Sequence, residues 1–368
     1  MMAKLRLIAA MSGGVDSAVA AKRAKAAGHE VIGVHLALSK NPQKYRSGAR
    51  GCCTVEDSHD ARRAADLIGI PFYIWDMSDE FHENVVENFL SEYQAGRTPN
   101  PCLRCNEKIK FAAVLDRALA MGFDGVVTGH YAQMKEVDVN GKKVRAMFRG
   151  IDPAKDQSYV LAVLNEEQLK GAHFPLGDTK KDEIRKEASE FGFSLAQKPD
   201  SHDICFVPSG DNAGWLRERL GSETGDIVDE SGAVLGQHQG AFTYTVGQRR
   251  GLGITTPRPD GQPRYVLRIE PKENRVIVGD RENLAIHHIR GEEVIWCGPS
   301  LNPSDSAEGL VQVRAHGQAY PARYTLSSDG KSIEILSEIA IMGLAPGQGA
   351  VIYDGERVVA SATVSQAW

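Results

Sequence analysis

Ala10-Met11-Ser12-Gly13-Gly14-Val15-Asp16-Ser17 is a glycine-hinged turn set between two apolar stretches, and its reading decides the fold. Ahead of it, Leu5-Arg6-Leu7-Ile8-Ala9-Ala10 has the length and branching of a buried parallel strand. Behind it, Val15 to Ala27 is alanine-rich, carries apolar residues around most of a helical circumference and stops at Gly28. Glycines admit backbone conformations closed to other residues and let N–H groups approach an anion, while the following helix N-terminus adds a positive partial charge. The turn reads as a phosphate cradle. The alternative is an ordinary strand–helix connection in which Asp16 only complements the helix dipole.

Two familiar cradles are excluded. A Walker loop needs G-x-x-x-x-G-K-[ST], and no lysine follows Gly13-Gly14; the dinucleotide fingerprint G-x-G-x-x-G is absent as well. Ser12-Gly13-Gly14-Val15-Asp16-Ser17 instead resembles the PP-loop of the N-type ATP pyrophosphatases, which cleave ATP between its α- and β-phosphates and adenylate a carbonyl oxygen.

The 368 residues exceed one ordinary core, and the charged and apolar fractions, 25% and 42%, are those of a soluble globular chain. No apolar run has bilayer length and no signal peptide is expected, so the expected compartment is the cytoplasm, without a membrane partner. Six cysteines, Cys52, Cys53, Cys102, Cys105, Cys205 and Cys297, are too unevenly spaced for a disulfide framework and read as thiols. The net charge of −5 argues against indiscriminate coating of nucleic acid but leaves room for a local basic face. Lys142-Lys143-Arg145, Lys180 to Lys186 and Arg249-Arg250 are candidates for it.

Further along, Glu30 to Ala37 reads as a strand, Ser39 to Gly51 as a loop at the ligand edge, and Val55 to Ile68 as a helix behind Cys52-Cys53-Thr54. Pro71 to Trp75 is the next strand, and Ser78 is the expected cap of a helix from Asp79 to Tyr93. This alternation predicts a doubly wound parallel α/β domain over residues 1–209. Residues 210–281, rich in short strands and glycines with few helices, read as a small central domain, with Tyr265–Ile269 and Arg275–Gly279 paired. Residues 282–368 carry strands such as Val311–Ala315 and Ala350–Tyr353. These are punctuated by Asp329-Gly330, Pro346-Gly347 and Asp354-Gly355, as in a closed β-barrel.

Four further segments carry chemistry. Ala95 to Asn106 holds two prolines, so a helix is expected only from about Cys105. Its thiolate would then be favoured by the helix N-terminus and by Arg104, Lys108 and Lys110. Alternatives for Cys102-x-x-Cys105 are a redox pair or half of a zinc site. Thr128-Gly129-His130-Tyr131 ends a strand, with His130 expected to be exposed at the ligand edge. After a hairpin turning at Asn140-Gly141, Lys155-Asp156-Gln157-Ser158-Tyr159 opens an apolar helix. Lys180, Lys181, Arg185 and Lys186 lie on a solvated face or face phosphates. Cys205 stands between apolar neighbours in Asp203-Ile204-Cys205-Phe206.

Together with Thr243 to Gly253, these motifs run in the order found in the bacterial tRNA-specific 2-thiouridylases, and the chain resembles that family over essentially its whole length. The resemblance implies a PP-loop domain, a central domain and a C-terminal barrel that helps hold tRNA. It implies ATP- and Mg²⁺-dependent replacement of the wobble uridine C2 oxygen by sulfur. The catalytic set it carries over is Cys105 as nucleophile, Cys205 as persulfide carrier and Asp16. ATP contacts would be Ala10, Met11, Ser12, Gly13, Gly14, Val15, Asp16, Ser17, Leu36 and Gly129. Contacts to tRNA would be Asn100, Pro101, Cys102, His130, Lys155, Asp156, Gln157, Arg314 and Gln348. The implied sulfur source is a persulfide-carrying donor protein or a cysteine desulfurase, and no protein metal site is expected. Cys102 stands where the family often has Asp. An iron–sulfur cluster on Cys102, Cys105 and Cys205 is therefore the less favoured alternative to the persulfide route. Other function classes are a PP-loop amide synthetase and a non-catalytic ATP-dependent RNA-binding module.

Overall fold

The computed structural model describes residues 4–39, 55–139, 141–200, 204–207, 210–256, 258 and 260–368. The expected loop Ser39–Gly51, Cys52, Cys53, Asn140 and Asp203 thus fall wholly or mainly outside the described residues. Strand β1 (Arg6–Ala10) lies between β2 (Glu30–Ala37) and β4 (Gly125–Val127), with β3 (Phe72–Asp76) and β7 (Ala172–His173) at the edges, all parallel. Period-two alternation along β1 seeds two cores. Leu7 and Ala9 pack against helices α1 (Val15–Ala26) and α2 (Val55–Ile68), whereas Ile8 packs against the helical stretches α3 (residues 78–94) and α4 (residues 101–120). Helices on both faces make the domain doubly wound. Its strand order reverses between β1 and β4, where such sheets bind ligands.

Local chemistry moves two expected helix starts. Ser78 is already helical, and Asp76 Oδ1 accepts from its N–H at 3.0 Å and its hydroxyl at 2.6 Å. Helix α4 begins a turn before Cys105, at Pro101, because proline in the first helical position lacks only an N–H that would have no intrahelical partner. The Asn100 side chain caps it, accepting from Cys102 N at 3.0 Å and Leu103 N at 3.4 Å. The helix expected after Gln157 is a single turn, α5 (Ser158–Leu161).

Strands β5 (Ala132–Val139) and β6 (Lys142–Arg149) form the expected hairpin. The central domain contains β8 (Gly225–Val228), β9 (Val234–His238), β10 (Tyr265–Glu270) and β11 (Arg275–Gly279) in the order β10-β11-β8-β9. The C-terminal strands are β12 (Ala285–Trp296), β13 (Ser306–Gln312), β14 (Ala319–Leu326), β15 (Ser332–Met342), β16 (Gly349–Asp354) and β17 (Arg357–Ala367). They run β12-β15-β14-β13-β16-β17, and pairing of β17 with β12 closes the barrel. Strand β13 ends at Gln312, so Arg314 lies beyond it and not within a strand to Ala315 as expected.

The barrel is docked on the first domain through buried polar bonds within an apolar cluster. Tyr159 Oη donates to the Gly349 carbonyl at 3.0 Å, Ser361 Oγ to the Ala162 carbonyl at 2.7 Å, and Ser158 Oγ meets Tyr353 Oη at 3.1 Å. Phe111, Met147, Leu161, Val351 and Val358 surround them. Burial raises the Tyr159 hydroxyl well above the usual phenol range, so it remains a donor. Tyr159→Phe leaves the buried Gly349 carbonyl without this donor and should cost about 1–3 kcal/mol. The check is a lowered urea midpoint with unchanged far-UV circular dichroism.

Candidate active site

The turn after β1 is shaped by two close approaches. Gly13 has φ +80°, and a Cβ there would lie 2.2 Å from the Asp57 carbonyl oxygen in α2. A Cβ on Gly129, two residues beyond β4, would lie 2.6 Å from both Asp16 C and Ser17 N. Only glycine at both positions lets α2 and the β4 turn press on the N-terminus of α1. Ser17 Oγ donates to the Gly14 carbonyl at 3.0 Å and accepts from Ser12 N at 3.2 Å, while the Ser12 side chain is exposed. Met11 and Val15 are buried; Ala10 and Leu36 border the core under α3 and α4. His35 Nδ1 lies 2.9 Å from the Met11 carbonyl, fixing the start of the turn.

Asp16 is the centre of an ionic chain. Lys181, at the start of helix α6 (Lys181–Glu190), places Nζ 2.7 Å from each Asp16 carboxylate oxygen, and Tyr131 Oη donates to Asp16 Oδ1 at 2.7 Å. Burial and the neighbouring Asp16 raise the Tyr131 hydroxyl far above the phenol range. Lys181 also reaches Asp200 at 2.9 Å; Asp200 further accepts from Lys155 at 2.7 Å and Arg185 at 2.8 Å. Burial alone would raise the Asp200 pKa, but the bonds from Lys155 and Lys181 outweigh it and hold it at about 2. Lys198 Nζ binds the Gly13 carbonyl at 3.0 Å together with Asp57 and Asp60, which outweigh the effect of burial and raise its pKa. At Lys181 the basic run neither faces solvent nor points freely at phosphates, the residue being 6% exposed and its charge already matched, whereas Lys180 and Lys186 are exposed, as a solvated face requires. Tyr131 and Asp200 are the site residues that sequence reasoning did not single out, and Lys181 is one that it expected on a solvated or phosphate-facing run. Tyr131 sits inside a motif already quoted, but nothing local marks Lys181 as buried.

The cysteines differ in setting. Cys102 is exposed, at the second position of α4, where the helix N-terminus is; Cys105 lies a turn further in and is half-buried. Cys205 is also half-buried, and both Cys105 and Cys205 border the same core cluster as Ala10 and Leu36. Among the described residues no three His, Cys, Asp or Glu side chains stand close enough to share a metal ion, so the three cysteines are not gathered around one point. Cys297 is buried, donates to the Ala162 carbonyl at 3.3 Å and has its thiol pushed up to about 12 by burial.

A cleft of about 220 Å³ opens between the start of α4 and the barrel, lined by Asn100, Pro101, Tyr159, Arg314 and Gln348 among others. Four residues expected at the tRNA thus meet across two domains. Arg314 Nη2 is anchored on the Met342 and Gly343 carbonyls, and Gln348 Oε1 accepts from Ala345 N. Asp156 is spent on Arg149, Gly150 and Ser158, and Gln157 brackets Tyr131 through its N–H and its side-chain oxygen. His130 is buried, contrary to expectation: the chain turns inward at Gly129 to pack the ring between Phe111 and Phe174. Its Nδ1 lies 2.7 Å from Thr128 Oγ1 and its Nε2 3.5 Å from Lys110 Nζ. Burial first, then Lys110, lowers its pKa well below the imidazole value.

Two outcomes follow from this geometry. Gly129→Ala must displace backbone at the α1 N-terminus; titration calorimetry should show ATP affinity reduced by roughly tenfold or more, equivalent to at least about 1.4 kcal/mol. The second outcome concerns acid. His173 is held at about 4 by burial, then by Arg145 and His29. With both His130 and His173 below their unfolded value of about 6.5, the unfolded chain takes up their protons first. Stability is full above that value and falls as pH drops from about 6.5 toward 4. Urea titrations at pH 7.5 and 5 should show this loss, and His173→Asn should lessen it.

Residues 5–209 match the family described as "tRNA methyl transferase HUP domain", residues 213–280 the "tRNA methyl transferase PRC-barrel domain", and residues 286–364 the "Aminomethyltransferase beta-barrel domain". The chain is 60% identical over 366 residues to the "tRNA-specific 2-thiouridylase MnmA" of Nocardioides sp., covering 98% of each. It is 60% identical over 363 residues to the protein of that name from Streptomyces coelicolor, covering 98% of this chain and 95% of the other. Among solved structures, a 4-thiouridine synthetase–RNA complex with bound ATP aligns over 56% of this chain and 46% of its own. Its TM-score of 0.35 at 16% identity is too slight to bear on this chain. At such identity along nearly the whole length of its relatives, this chain belongs to the family of tRNA-specific 2-thiouridylases.

Proposed function

We propose that this chain is an ATP-dependent tRNA sulfurtransferase that replaces the C2 oxygen of the wobble uridine with sulfur. The observation that supports the reading is that Ala10 at the head of the PP-loop, Leu36, Cys105 and Cys205 all pack against one core cluster, on the same face of the sheet. The loop and the two thiols therefore lie on one side of the sheet, as a nucleotide, an acceptor base and a sulfur relay require.

The chemistry assigns each part a task. Residues Ala10 to Ser17 hold the triphosphate, with Leu36 and Gly129 beside the nucleoside. Asp16, a carboxylate already holding a cation at 2.7 Å, suits Mg²⁺, which supplies charge neutralisation to the phosphates when bound. The uridine O2 bonds to the α-phosphorus and pyrophosphate leaves, so a poor leaving group becomes AMP. The outer sulfur of a Cys205 persulfide, loaded by a persulfide-carrying donor protein or a cysteine desulfurase, then bonds to C2. As the Cys105 thiolate attacks Cys205 Sγ, the sulfur–sulfur bond breaks, the C2–O bond breaks and AMP departs. The transferred sulfur is reduced by the two electrons that the cysteine pair loses in becoming a disulfide, which a cellular thiol reduces again. Asn100, Pro101, Cys102, His130, Lys155, Asp156, Gln157, Arg314 and Gln348 belong to the tRNA side, His130 through the wall it forms.

The test is thiolation of tRNA in vitro with defined variants, read by nucleoside mass spectrometry. Asp16→Ala should lose AMP formation. Cys105→Ser and Cys205→Ser should each lose 2-thiouridine while still adenylating, and Cys102→Ser should retain most of it. A protein that forms no 2-thiouridine, and whose ATP-dependent amide synthesis or RNA binding survives Cys205→Ser unchanged, would instead be an amide synthetase or a binding module. Brown, iron-containing anaerobic protein inactivated by any of the three cysteine substitutions would replace the persulfide with an iron–sulfur cluster.

A further inference from the structure

Most cations around the PP-loop and the start of α4 are matched to carboxylates. Lys181, Lys155 and Arg185 bind Asp200, and Lys198 lies between Asp57 and Asp60. On α4 itself, Arg104 and Lys108 share Glu107 at 3.1 and 2.6 Å. Lys110, half-buried on the same helix, has no carboxylate partner among the described residues; its Nζ lies 3.5 Å from His130 Nε2. An ammonium only donates, so this ring nitrogen accepts, and the imidazole proton sits on Nδ1, which donates to Thr128 Oγ1 at 2.7 Å. Burial keeps the ring neutral, and Phe111 and Phe174 pack against it. A neutral acceptor orients an ammonium without cancelling its charge, and a half-buried charge left uncancelled is unfavourable until an anion meets it. His130 also follows Gly129, where a Cβ would lie 2.6 Å from the backbone of Asp16 and Ser17. The ammonium thus touches a residue next to the PP-loop and rises from the helix that carries Cys105.

We propose that Lys110 is a catalytic residue that binds the α-phosphate of ATP and of the adenylated uridine. The inference rests on the chain acting by adenylation at the PP-loop. Of the three phosphates, the α-phosphate is the one that faces both the loop and the base, because the uridine O2 bonds to it as pyrophosphate leaves. Its charge rises when the C2–O bond breaks, since a phosphodiester monoanion becomes the monoester of AMP, close to a dianion at neutral pH. A fixed ammonium therefore stabilises the departing AMP more than the intermediate, which lowers the barrier to its release. His130 stands behind Lys110 as a positioning residue, its Nε2 aiming the ammonium.

The experiment is titration calorimetry with ATP, AMP and adenosine on the wild type, Lys110→Met and Lys110→Arg, with circular dichroism to verify folding and filter binding of tRNA alongside. Lys110→Met should weaken both ATP and AMP by about tenfold or more while leaving adenosine and tRNA affinity unchanged, and Lys110→Arg should retain most of the phosphate affinity. In the wild type, AMP but not adenosine should protect Lys110 from acetylation, read by peptide mass spectrometry. Unchanged AMP affinity in the folded Lys110→Met protein overturns the proposal, whether the loss falls on ATP alone, as for a contact to the outer phosphates, or on tRNA, as for a backbone phosphate. Equal weakening of adenosine and AMP overturns it as well. So does a wild-type protein whose Lys110 is acetylated as fast with saturating AMP as with adenosine, an outcome needing no variant. Absence of ATP binding by the folded wild type would instead overturn the reading of the loop.

Discussion

Strand β1 is hydrogen-bonded on both sides and covered on both faces, and the rest of the structure depends on that double constraint. Its pairing with β2 and β4 fixes where the chain leaves the sheet, and its alternation places Leu7 and Ala9 in one core and Ile8 in the other. Because the strand order reverses beside it, the loop after β1 and the turn after β4 emerge side by side. Gly129 then fits against Asp16 and Ser17 closely enough to exclude a methyl group. The cradle is less a property of one loop than of two strand ends held in register.

The second organising feature is the seam between the first domain and the barrel. Tyr159, Ser158 and Ala162, in and just after the short helix α5, each bond to a barrel residue, and Thr98 N donates to the Pro346 carbonyl at 2.8 Å. The bonds of Tyr159, Ser158 and Ala162 are buried among apolar side chains, where a polar group left unmatched is costly. The seam therefore has one preferred fit, and that fit brings Asn100 and Pro101 opposite Arg314 and Gln348. The hairpin β5–β6 reinforces it by joining the barrel sheet through Arg357 opposite Phe148.

Electrostatics in the site are arranged as alternating, compensated charges. Asp16, Lys181, Asp200 and the pair Lys155 and Arg185 succeed one another over short distances, with Lys198 bridging Gly13 to Asp57 and Asp60 on the other flank. An anion arriving at the loop meets lysines already held in place by carboxylates, so little side-chain ordering remains to be done on binding.

The sequence by itself determined the order of strands and helices, the glycine-hinged turn after β1, the hairpin at Gly141 and the closed barrel, because glycine placement, proline restriction and hydrophobic period act within a few residues. It also determined the family, since the motifs run in order along the chain. Only the tertiary structure decided that His130 is buried, that Asn100 starts the helix ahead of Cys105, and that Lys181 is matched to Asp16 across 165 positions. The expectation of a solvated or phosphate-facing basic run failed at Lys181 for a physical reason. A lysine's charge looks the same in sequence whether water or a carboxylate answers it, and which one does is settled by the packing of helix α6 against α1.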